Sequence, residues 1–487
     1  MSSDNRRINR NRDGAAAQAS VTSPVPIPGS ASPFAAQQPP RSPRKSHHPT
    51  RRSVITYLPI GSIVADPANP RQHPRKQIDG IVNSIEAFGF NAPILVDKAN
   101  RIVAGHGRLE AAKLLRLAEV PVIRLEHLSP SQAKAYMLAD NKLTDRSSWN
   151  DSQLAVVLKE LSDIALDFEI GATGFELPEI DLRIQSLEPP EAIDVADDFE
   201  ATEGPAVSYP GDLWNLGSHR LLCGNALDPQ AYETLLDGAK AAAAFTDPPY
   251  NVRMKGHAGG KGAKKHREFP MASGEMSEDE YCRFLLDAFS LVVANSAIEA
   301  TFFSCIDWRH LFEIVGTIRA LDCEVLNVCV WAKTNSGMGS LYRSQHEFVF
   351  VFGRRGARRV NNVELGKHGR NRSNVWHYPG MNSFARRGRS RGLDFHPTVK
   401  PVAMVSDAIL DVSQRGDIVL DPFCGSGTTV LAAERAGRRA YAMELDPLHV
   451  DTAIARWERM TKQTAVHSTG KTFEEMRAER RQENAGK

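Results

Sequence analysis

The chain has 487 residues, 60 Lys and Arg against 58 Asp and Glu, and an apolar share of 41%. That length calls for more than one domain, and the near-balanced charge means that only local clusters can point to a partner. Nothing approaches the roughly 18 uninterrupted apolar residues of a membrane span, no apolar core follows the basic N-terminus as a secretory signal requires, and six scattered cysteines (Cys223, Cys282, Cys305, Cys323, Cys329, Cys424) form no Cys-x-x-Cys pair. Structural zinc and a disulfide framework are thereby disfavoured, and a reducing cytoplasm, bacterial or phage-encoded, is the expected compartment.

Residues 1–53 are rich in Ser, Pro, Ala, Gln and Arg, with nine Lys and Arg against Asp4 and Asp13. They bury too little apolar surface to offset their ordering entropy and read as a disordered basic tail. Residues 54–148 read as a small α/β domain. "APILVDKANRIVAGHGRLEAAKLL" gives strand, turn, strand, glycine loop and helix, "VPVIRL" a further strand, and "SPSQAKAYMLADNKL" a helix opened by Ser129 or Ser131. Residues 149–208 read as a helical, acidic linker ending in the Pro- and acid-rich "LEPPEAIDVADDFEATEGPAVSYPGD". A larger domain runs over 209–460, and 461–487 reads as a charged, frayed tail.

Within the larger domain, "AAAAFTDPPYNV" sets an acidic residue and two prolines directly after an apolar run. Neither proline can donate to a strand ladder, so the strand must stop at Asp247 and Tyr250 must sit on a stiff loop at its carboxyl end, where open α/β sheets bind ligands. The bland alternative for this stretch is a rigid surface turn. Further on, "GDIVLDPFCGSGTTVLAAERAGRRAYAMELDP" reads as strand, glycine loop, helix and a second strand ending on Glu444. The glycines allow close approach of a ligand, and Glu444 stands where an acidic residue can meet a ribose diol. "GSGTT" lacks the lysine of a phosphate-cradling loop, Val430 stands where a dinucleotide fingerprint needs its third glycine, and no basic residue lies in the loop. An adenosine without phosphates fits better, and S-adenosylmethionine is such a ligand.

"DPPY" with "DPFCGSGTT" resembles the amino-group DNA methyltransferases. "HPTVKP" (396–401) resembles their segment lining the methionine end of the cofactor pocket, and "GDLWNLGSHRLLCGNA" (211–226) the stretch that opens their catalytic domain. The order of the motifs resembles the permuted group called beta. This resemblance implies a doubly wound, mostly parallel Rossmann-like sheet preceded by the small α/β domain, S-adenosylmethionine as cofactor, and double-stranded DNA as partner. It implies catalysis at Asp247, Pro248, Pro249 and Tyr250: the Asp247 carboxylate and Pro248 carbonyl accept the amine hydrogens, and Tyr250 stacks on an extracted base. It implies cofactor binding at Asp421, Pro422, Phe423, Cys424, Gly425, Ser426, Gly427, Thr428, Thr429 and Glu444, with Thr398 and Lys400 from "HPTVKP". Asp before Pro-Pro-Tyr favours adenine N6 over cytosine N4, and no Pro-Cys pair offers the nucleophile of C5-cytosine methylation.

Residues 354–394 carry eleven Lys and Arg against Glu364 and Asp394, where the permuted family places target recognition. Arg354, Arg355, Arg358, Arg359, Lys367, Arg370, Arg372, Arg386 and Arg387 are the candidate DNA contacts, giving affinity through phosphate. "RMKGHAGGKGAKKHREF", after Tyr250, reads as a second basic loop that orders over DNA or cofactor. "NPRQHP" (69–74) and "IVAGHGRLEAAKLL" (102–115) resemble the ParB and sulfiredoxin-like domains. That likeness implies either a nucleotide at the glycine loop with Arg108 adding charge, or a DNA-docking or dimerising module without chemistry. Gly105-His106-Gly107-Arg108 departs from the partition proteins' Gly-Glu-Arg-Arg and lacks the sulfiredoxin cysteine. The first reading is the DNA enzyme, with a restriction partner or without one; the alternatives carried forward are an N4-cytosine enzyme, a ParB-like regulator whose methylase half only senses cofactor, and the same chemistry on RNA or protein.

Overall fold

Short apolar runs closed by glycine, proline or aspartate fold into strands, and amphipathic runs between them into helices. The computed structural model describes residues 53–487, apart from 145, 165, 188–193, 198, 200–201, 203, 252–271, 273, 335, 337–340, 364–369, 371, 381–398 and 486–487. The expected basic tail and the second basic loop therefore lie outside the described residues.

The first layer is built from β1 (Ile55–Pro59), α1 (Arg75–Phe88), β2 (Ile94–Val96), β3 (Ile102–Ala104), α2 (His106–Leu114), β4 (Glu119–Arg124) and α3 (Pro130–Thr144). Its four strands run in the order β1-β4-β2-β3 around Ile94, Val96, Leu109, Val120 and Val122. Ser129 opens α3, its hydroxyl accepting from the Gln132 amide at 3.2 Å while Gln132 reaches back to the Ser129 amide at 2.9 Å. Two helices follow, α4 (Asp151–Asp163), capped by Asn150, and α5 (Leu177–Gln185).

The second sheet has ten strands. Its elements are β5 (Leu213–Leu216), β6 (His219–Cys223), α6 (Pro229–Leu236), β7 (Ala241–Thr246), α7 (Glu278–Ala294), β8 (Ser296–Ile306), α8 (Leu311–Ala320), β9 (Cys323–Ala332), β10 (His346–Arg354), β11 (Val375–His377), α9 (Val402–Val412), β12 (Ile418–Asp421), α10 (Thr428–Ala436), β13 (Arg439–Glu444), α11 (Pro447–Thr461), β14 (Val466–His467) and α12 (Phe473–Ala485). The order is β11-β9-β10-β8-β7-β12-β13-β6-β5-β14. The centre, β8-β7-β12-β13-β6, is parallel, and β10 and β5 turn the flanks antiparallel. Alternate residues face opposite layers, as strand geometry requires. Phe245, Val419, Ala440 and Ala442 pack with α9, α10 and α11, whereas Ala244, Leu420, Tyr441 and Met443 pack with α6, α7 and α8.

Two expectations need correction. The end of the chain is no frayed tail: Phe473 and Met476 are buried, Phe473 meets the Trp214 ring at 5.3 Å, and Arg480 bonds Asp212. The apolar face of α12 was masked in the sequence by its charges. Nor does the acidic stretch before residue 209 behave as a free linker. Asp194 holds Arg435 through two bonds of 2.5 and 2.9 Å, and the buried Asp451 accepts from the Val207 and Ser208 amides at 2.6 and 2.9 Å.

Further upstream, Asp181 on α5 pairs with the fully buried Arg438 at 2.9 Å and with Arg415 at 2.9 Å. Removing one partner of a buried pair strands the other charge. Asp181→Ala is expected to destabilise the protein by about 3–5 kcal/mol, read as a lower denaturation midpoint. Joint replacement of Asp181 and Arg438 by Leu and Met should recover most of the loss.

Candidate active site

The site lies where β7 and β12 end side by side. Their pairing sets Ala243 beside Val419 and Ala244 beside Leu420. Both strands therefore release their loops at one edge, Asp247-Pro248-Pro249-Tyr250 from β7 and Pro422 to Gly427 from β12.

The first loop is locked from behind. Pro248 is buried, the Tyr281 hydroxyl donates to the Pro249 carbonyl at 3.1 Å, and Asn251, at φ 51°, ties the Gly274 and Met276 amides to the loop's far end. Both Asp247 oxygens meet donors: the Tyr250 hydroxyl at 2.5 Å on Oδ1 and the Lys400 ammonium at 2.5 Å on Oδ2. Lys400, itself buried, lies 3.2 Å from Glu347, and Glu347 is also paired with Lys333. Burial pushes the Asp247 carboxyl above its ordinary value, Lys400 opposing this and Glu347 adding to it. Burial works against the Lys400 ammonium as well, but Asp247 and Glu347 together hold its pKa above the usual range. Burial likewise opposes the Glu347 carboxylate, yet Lys400 and Lys333 bring it below its ordinary value.

The second loop is stitched to β13. Asp421 accepts from the Phe423 amide at 3.0 Å and the Thr429 hydroxyl at 2.5 Å, and Glu444 accepts from the Gly425 and Asp446 amides at 2.8 Å each. The Cys424 amide bonds Met443 and the Gly427 amide bonds Cys424. The amides of Phe423, Cys424, Gly425 and Gly427 are thus committed within the protein, leaving these four with no role in cradling phosphate. Arg456 approaches from behind, donating to the Ser426 carbonyl at 2.7 Å and to the Ala196 carbonyl at 2.9 Å. Burial pulls its pKa down to about 10. Cys424 is buried, and burial raises its thiol well above the ordinary value, which suits a filler rather than a nucleophile.

Several expected residues are elsewhere. Lys400 faces Asp247 and Glu347, an ion-pairing place that its motif did not announce; Thr398 lies outside the described residues. The Tyr250 hydroxyl is tied to Asp247 as well as offering its ring. Arg354 is withdrawn from the DNA contacts, because its guanidinium donates to the Val293 carbonyl in the last turn of α7 and to the Ser296 and Ala297 carbonyls at the start of β8. Arg359 turns to Glu324 and Arg354, and Arg355 and Arg358 are exposed at the amino edge of the parallel strands, away from Asp247. Arg370 is buried on Asp411 at 2.6 Å, and Arg372 pairs with Asp411 and Asp407 at 2.7 and 3.1 Å. Lys367, Arg386 and Arg387 lie outside the described residues. A charge run cannot reveal which of its members pair with distant acids.

Glu347 and Lys333 escaped sequence reasoning. The only signal was an acidic residue inside the apolar strand "HEFVFVF". In the first domain, Gly105 adopts φ 104° at the start of α2 as a close backbone approach demands, but Arg108 spends its guanidinium on the Ala92 and Pro93 carbonyls at 3.1 and 2.6 Å.

Residues 241–455 match the DNA methylase family, 44–141 the ParB N-terminal domain, and 152–210 the ParB-methyltransferase HTH domain. The chain is 40% identical over 78 residues to the ParB-like nuclease domain-containing protein YnaK of Escherichia coli K12, covering 16% of this chain and 90% of that protein. It is 24% identical over 229 residues to the type II methyltransferase M.HinfI of Haemophilus influenzae, covering 44% of this chain and 61% of that enzyme. Among solved structures, the M1.HpyAVI–SAM complex aligns at TM-score 0.34 and 18% identity over 48% of this chain and 97% of the other. The cytosine-N4-specific PvuII DNA methyltransferase aligns at 0.37 and 15% over 50% and 91%. Residues 241–455 thus form a DNA methylase domain of the N6/N4 amino type, with beta-group motif order, behind an N-terminal ParB-like domain. The helix-turn-helix match covers α4 and α5, a span whose acidic composition had read as a mere linker.

Two consequences can be measured. A Cβ on Gly427, at φ 88°, would stand 2.6 Å from that of Ala453, so Gly427→Ala is expected to lower the unfolding free energy by about 1–3 kcal/mol, seen by thermal denaturation. Burial pushes Asp421 up to about 7, against the bonds from Thr429 and Phe423. A carboxyl with a folded pKa above its unfolded one holds more protons when folded, so stability falls as pH rises from about 4 to about 7 and stays reduced above. Asp421→Asn is therefore expected to exceed the wild type in stability by on the order of 2–4 kcal/mol near pH 8, the gap closing towards about pH 4.

Proposed function

We propose that the protein transfers the methyl group of S-adenosylmethionine to the exocyclic N6 amine of adenine in double-stranded DNA. The observation that carries this reading is the meeting of the Asp247-Pro248-Pro249-Tyr250 loop and the glycine loop at the ends of two paired strands. The fit to the cofactor rests on the second loop. Gly425 leaves open space where a side chain would project, the amides of Phe423, Cys424, Gly425 and Gly427 are already bonded, and Glu444 retains lone pairs for a ribose diol. S-adenosylmethionine, when bound, supplies an electrophilic methyl group on a sulfonium sulfur.

The protein's own part is orientation. The amine lone pair of adenine is delocalised into the ring. Asp247 and the Pro248 carbonyl accept its two hydrogens and draw the lone pair towards the methyl group, and alignment for in-line displacement provides much of the rate. Asp247 does this as a carboxylate, and the Lys400 ammonium and Tyr250 hydroxyl both favour its ionised form. The Tyr250 ring is the platform for the extracted base, which cannot be reached inside the duplex stack. Asp at position 247 favours adenine over cytosine. Lys367, Arg386 and Arg387 remain assigned to DNA phosphate, and the ParB-like domain with its helix-turn-helix segment supplies additional DNA docking.

The test is transfer of labelled methyl from S-adenosylmethionine to duplex DNA, followed by nucleoside analysis. Label is expected in N6-methyladenine, and Asp247→Ala is expected to lower the rate by at least about 10³-fold while still binding cofactor. Label in N4-methylcytosine would overturn the base assignment, and cofactor binding with no label on any DNA would overturn the enzyme reading.

A further inference from the structure

Resting on the methyltransferase reading, we propose that Glu347, backed by Lys333, is a positioning residue for methyl transfer: it fixes the Lys400 ammonium on Asp247 and keeps the charge beside the reacting amine neutral. Glu347 is the second residue of β10 and points into the sheet edge at 8% exposure. One of its oxygens takes Lys333; the other stands 3.2 Å from Lys400 and 3.4 Å from the Tyr250 hydroxyl. Lys400, at 3% exposure, thereby bridges two carboxylates, while its ammonium lies 5.4 Å from the centre of the Tyr250 ring. A lysine side chain has four rotatable bonds and no fixed fork. Glu347 is what holds it at Asp247.

Charge balance is the other contribution of Glu347. Asp247 and Glu347 against Lys333 and Lys400 sum to zero. The other titratable groups facing Asp247 are Tyr250 on its own loop, Cys305 on β8, Tyr281 on α7 and Asp421 on β12, and burial raises the pKa of each. During transfer, the nitrogen lone pair forms the N–C bond as the S–C bond breaks. The sulfur leaves neutral with the bonding pair, and the positive charge passes to the amine, which then gives a proton to the Asp247 carboxylate and through it to solvent. A site with an uncompensated ammonium opposes that arrival of charge, and fields in a water-excluded site act more strongly than in water.

Substituting Glu347 by Gln keeps the shape and removes one negative charge. Lys333 and Lys400 then face Asp247 alone, with a surplus of one positive charge. Glu347 also raises the Asp247 pKa, so its removal moves the acid limb of the rate to lower pH while the plateau falls. A residue that only fills space would not combine those two signs.

The experiment compares full-length wild type, Glu347→Gln, Glu347→Asp and the Glu347→Gln/Lys333→Met double variant in labelled methyl transfer to duplex DNA across pH. For Glu347→Gln the expected result is a kcat loss of about 10–100-fold, KM for S-adenosylmethionine changed less than about twofold, and an acid limb displaced downwards. The double variant, again neutral, should regain at least half of the loss on a logarithmic scale. Glu347→Asp keeps the charge and shortens the reach; it should lose rate with its acid limb in place, and it serves should the amide variant not fold. An active wild type whose kcat and acid limb are unaltered in both single variants, or a double variant no faster than Glu347→Gln, overturns the inference alone. A wild type inert on every DNA overturns the methyltransferase reading and this inference with it.

Discussion

Everything at the site depends on the parallel pairing of β7 with β12. These two strands are far apart in sequence and adjacent in space, and each ends in a loop that breaks the ladder at once. Pro248 cannot continue β7, and Pro422 cannot continue β12. Ala241, Ala243 and Ala244 are all buried in the central strand, where Ala241 and Ala244 pack in the layer of α6 and α7 and Phe245 packs in the layer of α9 and α10. The two loops are consequently fixed to the best-packed part of the molecule, and their separation is set by the sheet rather than by their own flexibility.

Around that edge, buried charges are arranged in compensating groups. Asp247, Glu347, Lys333 and Lys400 form one such group, and Asp407, Asp411, Arg370 and Arg372 form another beside α9. Each group brings together distant parts of the chain. Burying such ions is costly unless every charge is matched, so these groups specify which segments meet more than they add stability. The second group explains why much of a basic run that read as a DNA grip is structural.

Sequence patterning carried the centre of the fold well. The short apolar runs "IVLD" and "AYAMEL", the glycines of "CGSG" and the prolines after Asp247 encode local geometry in local residues, so the cofactor unit and the Asp-Pro-Pro-Tyr loop were legible. What stayed hidden was non-local. Glu347 acquires its place only when β10 folds back against β8, and Lys400 only when the segment before α9 returns to β7. Arg370 looked identical in composition to its neighbours until Asp411 was found beside it. The apolar residues of α12, Phe473 and Met476, were outnumbered by charge, and the acids at 194 and 197 read as solvent-facing because their arginine partners lie some 240 to 260 residues away.

The segment from Asp194 to Ser208 bears on how this chain can be divided. Asp194 neutralises Arg435, Ala196 offers its carbonyl to the same Arg456 that supports Ser426, and Val207 and Ser208 satisfy Asp451. Farther back, Asp181 neutralises Arg438. A fragment cut at residue 209, just ahead of β5, would expose four polar groups designed for burial and loosen the back of the glycine loop. The smallest self-sufficient catalytic piece therefore begins before α5. The boundary between modules runs through the helix-turn-helix segment, so the ParB-like part and the methylase part share one length of chain and cannot be exchanged independently.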